Sequence, residues 1–275
     1  MEAALPSLVD RAHRMVLGAR STAGLQVADL WDRYGGVNAA ALDEFAPAAV
    51  EAVAAMQDVT VTVIDAYLGQ TVELLDPATP SDPLAGEIDV SSLRGGTEPL
   101  AVYARPVITA RTALAAGKTW AQAMAEARAR AVSAAETDVM LAQRATMDAW
   151  VEAERVAGYR RVLTGRSCMY CATASTQRYR RGELMPLHSH CDCGVAPILG
   201  SHDPGHVVNR RLLRQLKQAG GSSYWKSSGY VAEHADGGFV VDVAGKHQQL
   251  EVAVHQHGEL GPVLGNAAHH FDTAA

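Results

Sequence analysis

The stretch Tyr159–Leu199, YRRVLTGRSCMYCATASTQRYRRGELMPLHSHCDCGVAPIL, holds all four cysteines of the 275-residue chain. They stand as Cys168-x-x-Cys171 and Cys191-x-Cys193, with His188 and His190 just before the second pair. Two residues between cysteines let the backbone turn and aim both thiolates at one ion, and a second pair roughly twenty residues on can close a zinc tetrahedron. The second pair is the tighter C-x-C, so a histidine can replace one of its thiolates, and zinc accepts a full set of thiolates or a set with one histidine alike. Three other readings stand beside structural zinc: reduced thiols in a small core, a disulfide between the pairs, or a catalytic metal. A disulfide belongs to an oxidising compartment, whereas Met1-Glu2 begins with an acid and leads into no apolar run, so no secretory leader is expected. A catalytic ion needs an open coordination position and a nearby base, and the spacing singles out neither.

Working outward, both flanks of the stretch carry the marks of strands. Tyr159-Arg-Arg-Val-Leu163 and Gly194-Val-Ala-Pro-Ile-Leu199 are short, partly alternating and bounded by turn residues. Paired side by side, they would bring the two cysteine pairs together.

These residues carry a resemblance. A strand ending in Arg161-Val162-Leu163-Thr164-Gly165, then Cys168-x-x-Cys171, a basic spacer, His188, Cys191-x-Cys193 and a second strand containing Pro197 resembles the C-terminal half of the Mu F-like minor head proteins of tailed bacteriophages. The segment His257–Leu264, HGELGPVL, is similar to a tail segment in actinobacteriophage members of that group. The resemblance covers roughly residues 100 to 199. It implies a virion assembly protein that contacts the portal, other capsid or scaffold proteins and packaged DNA without sequence preference. It also implies a site in the host cytoplasm during assembly and then in the virion head interior. Members of the group are sometimes labelled capsid maturation proteases, so the resemblance carries that reading too.

Composition agrees with a helical chain. Hydrophobic residues make up 48% but aromatic ones only 5%, and alanine dominates, which favours closely packed helices over a thick aromatic core. The longest apolar runs are broken by charges within about ten residues, short of the ~20 that a bilayer span requires, so no membrane partner is expected. The net charge of -6 is unevenly spread. Residues 1–100 carry 15 acids against 5 bases, and residues 155–217 carry 11 bases against 3 acids. Either the halves face different partners or they pack on each other.

The N-terminal segment, 1–76, is expected to be helical. Leu5 to Tyr34 shows an apolar stripe after Pro6 and stops at Gly35-Gly36. Asn38 can cap a second helix that continues past Pro47, which either kinks it or marks its true first turn, to about Leu75, through the β-branched run Val59–Ile64. Residues 77–99, with their prolines and glycines, read as a linker or long loop. Residues 100–158 predict a helix interrupted at Pro106, then a long one from a Thr119 cap to about Ala157. Trp120, Met124, Ala127, Ala131, Ala135, Val139, Met147 and Trp150 make the core face of the long helix, with Arg128, Arg130 and Arg144 on its other side. Residues 159–219 form the Cys/His module with a basic helix, Val207 to Ala219. The extension 220–275 carries strands at Phe239–Val243 and Leu250–Val254 and a histidine-rich end. The fold class is therefore a mainly α N-terminal body with a small α+β C-terminal module built on a zinc-knuckle-like Cys/His β-hairpin.

The candidate metal ligands are Cys168, Cys171, Cys191, Cys193 and His188. Arg178, Arg180 and Arg181 flank Tyr179, a pattern that can grip phosphates while a ring stacks on a base, and Arg210, Arg211 and Arg214 extend the candidate nucleic-acid set. The bland reading is a loop kept soluble by charge. No G-x-S-x-G or H-E-x-x-H is present, and no spaced Ser/His/Asp set nominates a protease. A metal nuclease using His188, His190, His202, His206 and Asn209 is the remotest reading, so no catalytic residue is assigned. Elemental analysis of the purified chain is predicted to give about one zinc per molecule. Replacing Cys168 and Cys171 with Ser should unfold the C-terminal module; zinc-free protein with unchanged melting would exclude the clasp.

Overall fold

The computed structural model describes residues 5–163, 174–175, 178–180, 193–200, 202–204, 208–209, 232–233, 239–243, 248–257 and 261–266, the last four stretches by backbone alone. Four long helices dominate: α1 (Leu5–Tyr34), α2 (Ala39–Leu75), α3 (Pro99–Ala115) and α4 (Trp120–Glu152). Strands β1 (Gly158–Val162) and β2 (Gly194–Ile198) form a two-stranded antiparallel sheet. Strands β3 (Ala232–Glu233), β4 (Phe239–Val243), β5 (Gln248–His257) and β6 (Gly261–Asn266) form an antiparallel meander. The expected strand at Phe239–Val243 is present, the one at Leu250–Val254 is longer, and β3 and β6 are additional. The chain divides into two compact units, one of Met1–Asp10, Gln70–Ser81 and Trp150–Ala275, the other of Arg11–Gly69 and Asp82–Ala149.

In the second unit, local signals place the helix ends. Gly35 follows α1, where a Cβ would collide with the carbonyl oxygen of Trp31. The Asn38 side chain accepts from the Ala41 amide (2.9 Å) and caps α2, as its position predicts. The helix continues through the β-branched run, where Thr60 and Thr62 donate their hydroxyls to the carbonyls of Met56 and Asp58 one turn back. Thr119 and Gln122 form a reciprocal capping box before α4, with Gln122 N–H donating to Thr119 Oγ1 (3.3 Å) and Thr119 N–H donating to Gln122 Oε1 (3.0 Å).

The core of this unit lies between the helices. Ala23 and Val27 of α1, Phe45, Ala49 and Val53 of α2, Val102 and Val107 of α3, and Ala127, Ala131 and Ala135 of α4 are all buried. Alanines recurring every four residues let backbones approach closely; a Cβ on Gly24 would lie 3.4 Å from Val132 and 3.3 Å from Glu136. Trp31 meets Phe45 edge to face at 5.0 Å across the α1–α2 turn.

Several sequence expectations need correction. Helix α3 runs unbroken through Pro106, because its buried face of Val102, Tyr103, Pro106, Val107 and Ala110 outweighs the roughly 3 kcal/mol a mid-helix proline costs. Trp120 is 56% exposed rather than core, since it occupies the first turn of α4, ahead of the buried alanines that begin at Ala123. Arg144 is buried. Helix α4 ends at Glu152, and Glu154 takes a left-handed backbone (φ 56°). An 18-residue window of α2 is long and apolar enough, by length and composition, to cross a membrane, which the sequence reading passed over. A third of that window is buried.

The loop between α2 and α3 is pinned rather than slack. Leu84 is buried and its amide donates to Asp65 Oδ1 (3.0 Å). Arg94 reaches into the core, where its Nε donates to Asp138 Oδ1 (2.5 Å) and its Nη2 to the Ala134 carbonyl (3.1 Å). Tyr103 donates its hydroxyl to Asp138 Oδ2 (2.6 Å). Burial raises the Asp138 carboxyl above its ordinary value; Arg94 and Tyr103 pull it partly back. The Tyr103 phenol is pushed well up by burial and then by the Asp138 charge. Replacing Arg94 with Ala should cost about 3–5 kcal/mol at pH 7 in urea unfolding, since Asp138 is left buried without its cation. A folded-state pKa above the unfolded 3.8 means that the proton stabilises the folded form below that pH and ceases to as pH rises through the raised value. The deficit of R94A should therefore shrink toward pH 4, and a pH-independent deficit would refute the assignment.

Candidate functional site

The flanks of the cysteine-rich stretch pair as their sequences suggest. Strand β1 runs against β2 with Gly158 opposite Ile198, Arg160 opposite Ala196 and Val162 opposite Gly194. Leu163 and Cys193 are the next residues at that end, and both are buried. The chain segments carrying Cys168, Cys171 and Cys191 thus leave and return at one end of the sheet. Those three cysteines lie outside the described residues, as do His188, His190, Arg181, Arg210, Arg211, Arg214 and nearly all of the expected helix Val207–Ala219. Among the described residues no group of three or more His, Cys, Asp or Glu could hold a metal.

What the structure builds here is a closed strand edge. Tyr159 donates its amide to the Tyr179 carbonyl and accepts from the Tyr179 amide, both at 2.9 Å. A residue's N–H and C=O point to the same side of an antiparallel strand, so Tyr159 makes no ladder bond toward its β2 partner, Pro197. A proline therefore fits in β2 without losing a bond. Two residues further along, the outer edge of β1 meets Asn209. Its Oδ1 accepts from the Leu163 amide (2.7 Å) and its Nδ2 donates to the Arg161 carbonyl (2.8 Å). Asn209 is fully buried, and both ends of its amide are committed to β1, which weakens its candidacy in a nuclease. Gly158 opens the strand at φ 154°, where a Cβ would strike the Tyr179 carbonyl oxygen, so only glycine suits the position.

The side chains of this edge sort onto two faces. On one, the Tyr159 and Tyr179 rings stack in parallel at 6.0 Å, and the Arg161 guanidinium lies over the Tyr179 ring at 4.8 Å. Arg161 is only 2% exposed. On the other face, Asp203 follows the tight turn in which Leu199 and His202 exchange backbone bonds, with Gly200 left-handed at φ 50°. Asp203 accepts from Arg160 Nε (2.8 Å) and Nη2 (2.7 Å) in a forked, largely buried pair. Its Oδ2 also accepts from Arg178 Nε (2.7 Å), whose side chain is 68% exposed. The forked bond raises the affinity of the Arg160 guanidinium for its proton, ahead of the opposing effect of burial.

Sequence reasoning placed Arg178, Tyr179 and Arg180 in one basic patch, and the structure brings the first two against β1 while separating them onto opposite faces. It passed over Asp203, which read only as the start of a helix, and the structural role of Asn209. The one available signal was that Asp203 is among only 3 acids in the 155–217 stretch.

Residues 97–209 match the family model described as VG15 protein. That is a viral gene protein family, and the match suggests a phage protein; it covers α3, α4 and the β1–β2 sheet, less than half of the chain. No curated protein and no solved structure matches the chain. Replacing Asn209 with Ala strands two buried backbone groups at about 1–3 kcal/mol each. N209A should lose several kcal/mol of stability and the slow hydrogen exchange of the Leu163 amide; a Leu163 amide protected as before would refute the clasp.

Proposed function

We propose that this chain is a minor capsid protein of a tailed phage, working structurally in head morphogenesis beside the portal and the head interior. The observation that carries the reading is the family match over α3, α4 and the sheet, the region in which the resemblance to Mu F-like minor head proteins also falls. The helical body and the absence of a spaced catalytic motif in the sequence support a structural role. The partners are the portal protein, capsid or scaffold proteins, and packaged DNA held without sequence preference. The chain is made in the host cytoplasm and carried into the virion head. A zinc ion held by Cys168, Cys171, Cys191 and either Cys193 or His188 staples the C-terminal module; β1 paired with β2 supports this by returning both cysteine-bearing segments to one end of the sheet. Such an ion supplies folding energy and no chemistry.

Co-expression with the portal and major capsid proteins of the same phage tests the role. Stable co-purification with the portal, and a major capsid protein of full mass at its N-terminus, is the expected result. Trimmed capsid protein that stays intact without this chain would instead establish the maturation protease.

A further inference from the structure

Within the basic spacer the described residues, Arg178 to Arg180, are tied to β1, and this bears on what they can bind. Tyr179 is bonded through its amide and carbonyl to Tyr159, and its hydroxyl donates to the Ala174 carbonyl (2.8 Å). The Arg180 carbonyl accepts from the Tyr159 hydroxyl (2.8 Å). Three consecutive residues, Arg178 to Arg180, are thus held extended along β1. In extended chain, alternate side chains share a side and stand about 6.6 Å apart. Tyr179 turns inward onto Tyr159, so Arg178 and Arg180 share the outward side, where both are exposed.

The charges favour an anion there. Asp203 is matched by the forked pair with Arg160, whose side chain is 11% exposed against 17% for Asp203. The bond from Arg178 Nε to Asp203 is therefore a second cation on one carboxylate, and the trio of Arg160, Asp203 and Arg178 keeps a net positive charge. Holding a guanidinium through Nε leaves the far edge of the fork, the edge that takes phosphate oxygens in pairs, directed away from the carboxylate.

We propose that Arg178 and Arg180 form a two-rung phosphate site for duplex DNA, with Asp203 as the positioning residue that orients Arg178, and that the site grips the sugar-phosphate backbone without stacking on bases. It rests on the reading of the basic module as a DNA contact and decides how that contact is made. The Tyr179 ring is engaged by Tyr159 and Arg161, so base stacking, which the aromatic among arginines suggests in the sequence, has no platform here. Binding is then electrostatic, indifferent to base composition and strongly salt-dependent.

Anisotropy titrations of the full chain with a mixed-sequence duplex and with poly(dT) at several salt concentrations test this. Duplex is expected to bind at least as well as poly(dT). R178Q and R180Q should each lower affinity about threefold or more and reduce the salt slope by about 1. D203N should weaken binding although it removes a negative charge, and D203E should restore it; tighter binding by D203N would make Asp203 a competitor and overturn its assigned role. Should D203N fail to fold, the wild type decides by NMR. The Arg178 Nε–H resonance, identified by its loss in R178Q, should shift on adding duplex, and an unmoved resonance on DNA-bound protein overturns the site. A wild-type chain that ignores duplex at low salt overturns the DNA reading itself. Binding untouched by R178Q and R180Q, or a tenfold preference for poly(dT), overturns only the phosphate ladder.

Discussion

The outer edge of β1 is the constraint on which the C-terminal module depends. A buried strand cannot leave amides and carbonyls unmet, and a two-stranded sheet has an unmet edge on each side. Here the outer edge of β1 is met twice, by the backbone of Tyr179 and by the side-chain amide of Asn209. With that edge closed, β1 can be buried along its whole length despite two arginines within it, each given a partner: Asp203 for Arg160 and the Tyr179 ring for Arg161. The arrangement is economical in residues. One tyrosine extends the sheet, covers a buried guanidinium and sets the direction of the flanking arginines.

The helical unit solves a comparable problem by other means. Its core is built from alanine and valine with few aromatics, so its stability rests on close backbone approach rather than on large buried side chains. A core of that kind leaves little area to hold a long proline-rich loop, and the loop is held instead by specific bonds, Leu84 to Asp65 and Arg94 to Asp138. The Asp138 site is therefore a joint between three helices and a loop: α4 provides the acid, α3 the phenol, the loop the cation, and Gln57 of α2 donates to the Asp138 carbonyl at 3.3 Å. The two units share a strategy, in which one carboxylate, Asp138 or Asp203, gathers segments distant in sequence.

The proposed role in a phage head fits both features physically. A structural protein in a crowded shell gains from rigid surfaces, and a DNA contact without base readout gains from arginines held in place rather than sampled from a flexible loop. The Tyr159–Tyr179 edge ties Arg178–Arg180 to β1 near the point where the charge of the chain changes from acidic to basic.

Much of this was legible in the residues alone. The ends of α1, the Asn38 and Thr119 caps, the passage of α2 through Pro47 and Val59–Ile64, and the pairing of the strands around the cysteines follow from local signals: capping side chains, apolar periodicity and turn residues act within a few residues of one another. The clasp of zinc by Cys168, Cys171 and their partners stays a reading of spacing. What tertiary structure alone decided concerns groups far apart in the chain: an unbroken α3 at Pro106, an exposed Trp120, a buried Arg144, and the joining of Arg94 to Asp138 and of Asp203 to Arg160 and Arg178. Periodicity reports which face of an element is apolar, but whether another element covers that face, and which distant carboxylate meets a buried arginine, is set by packing that no local pattern encodes.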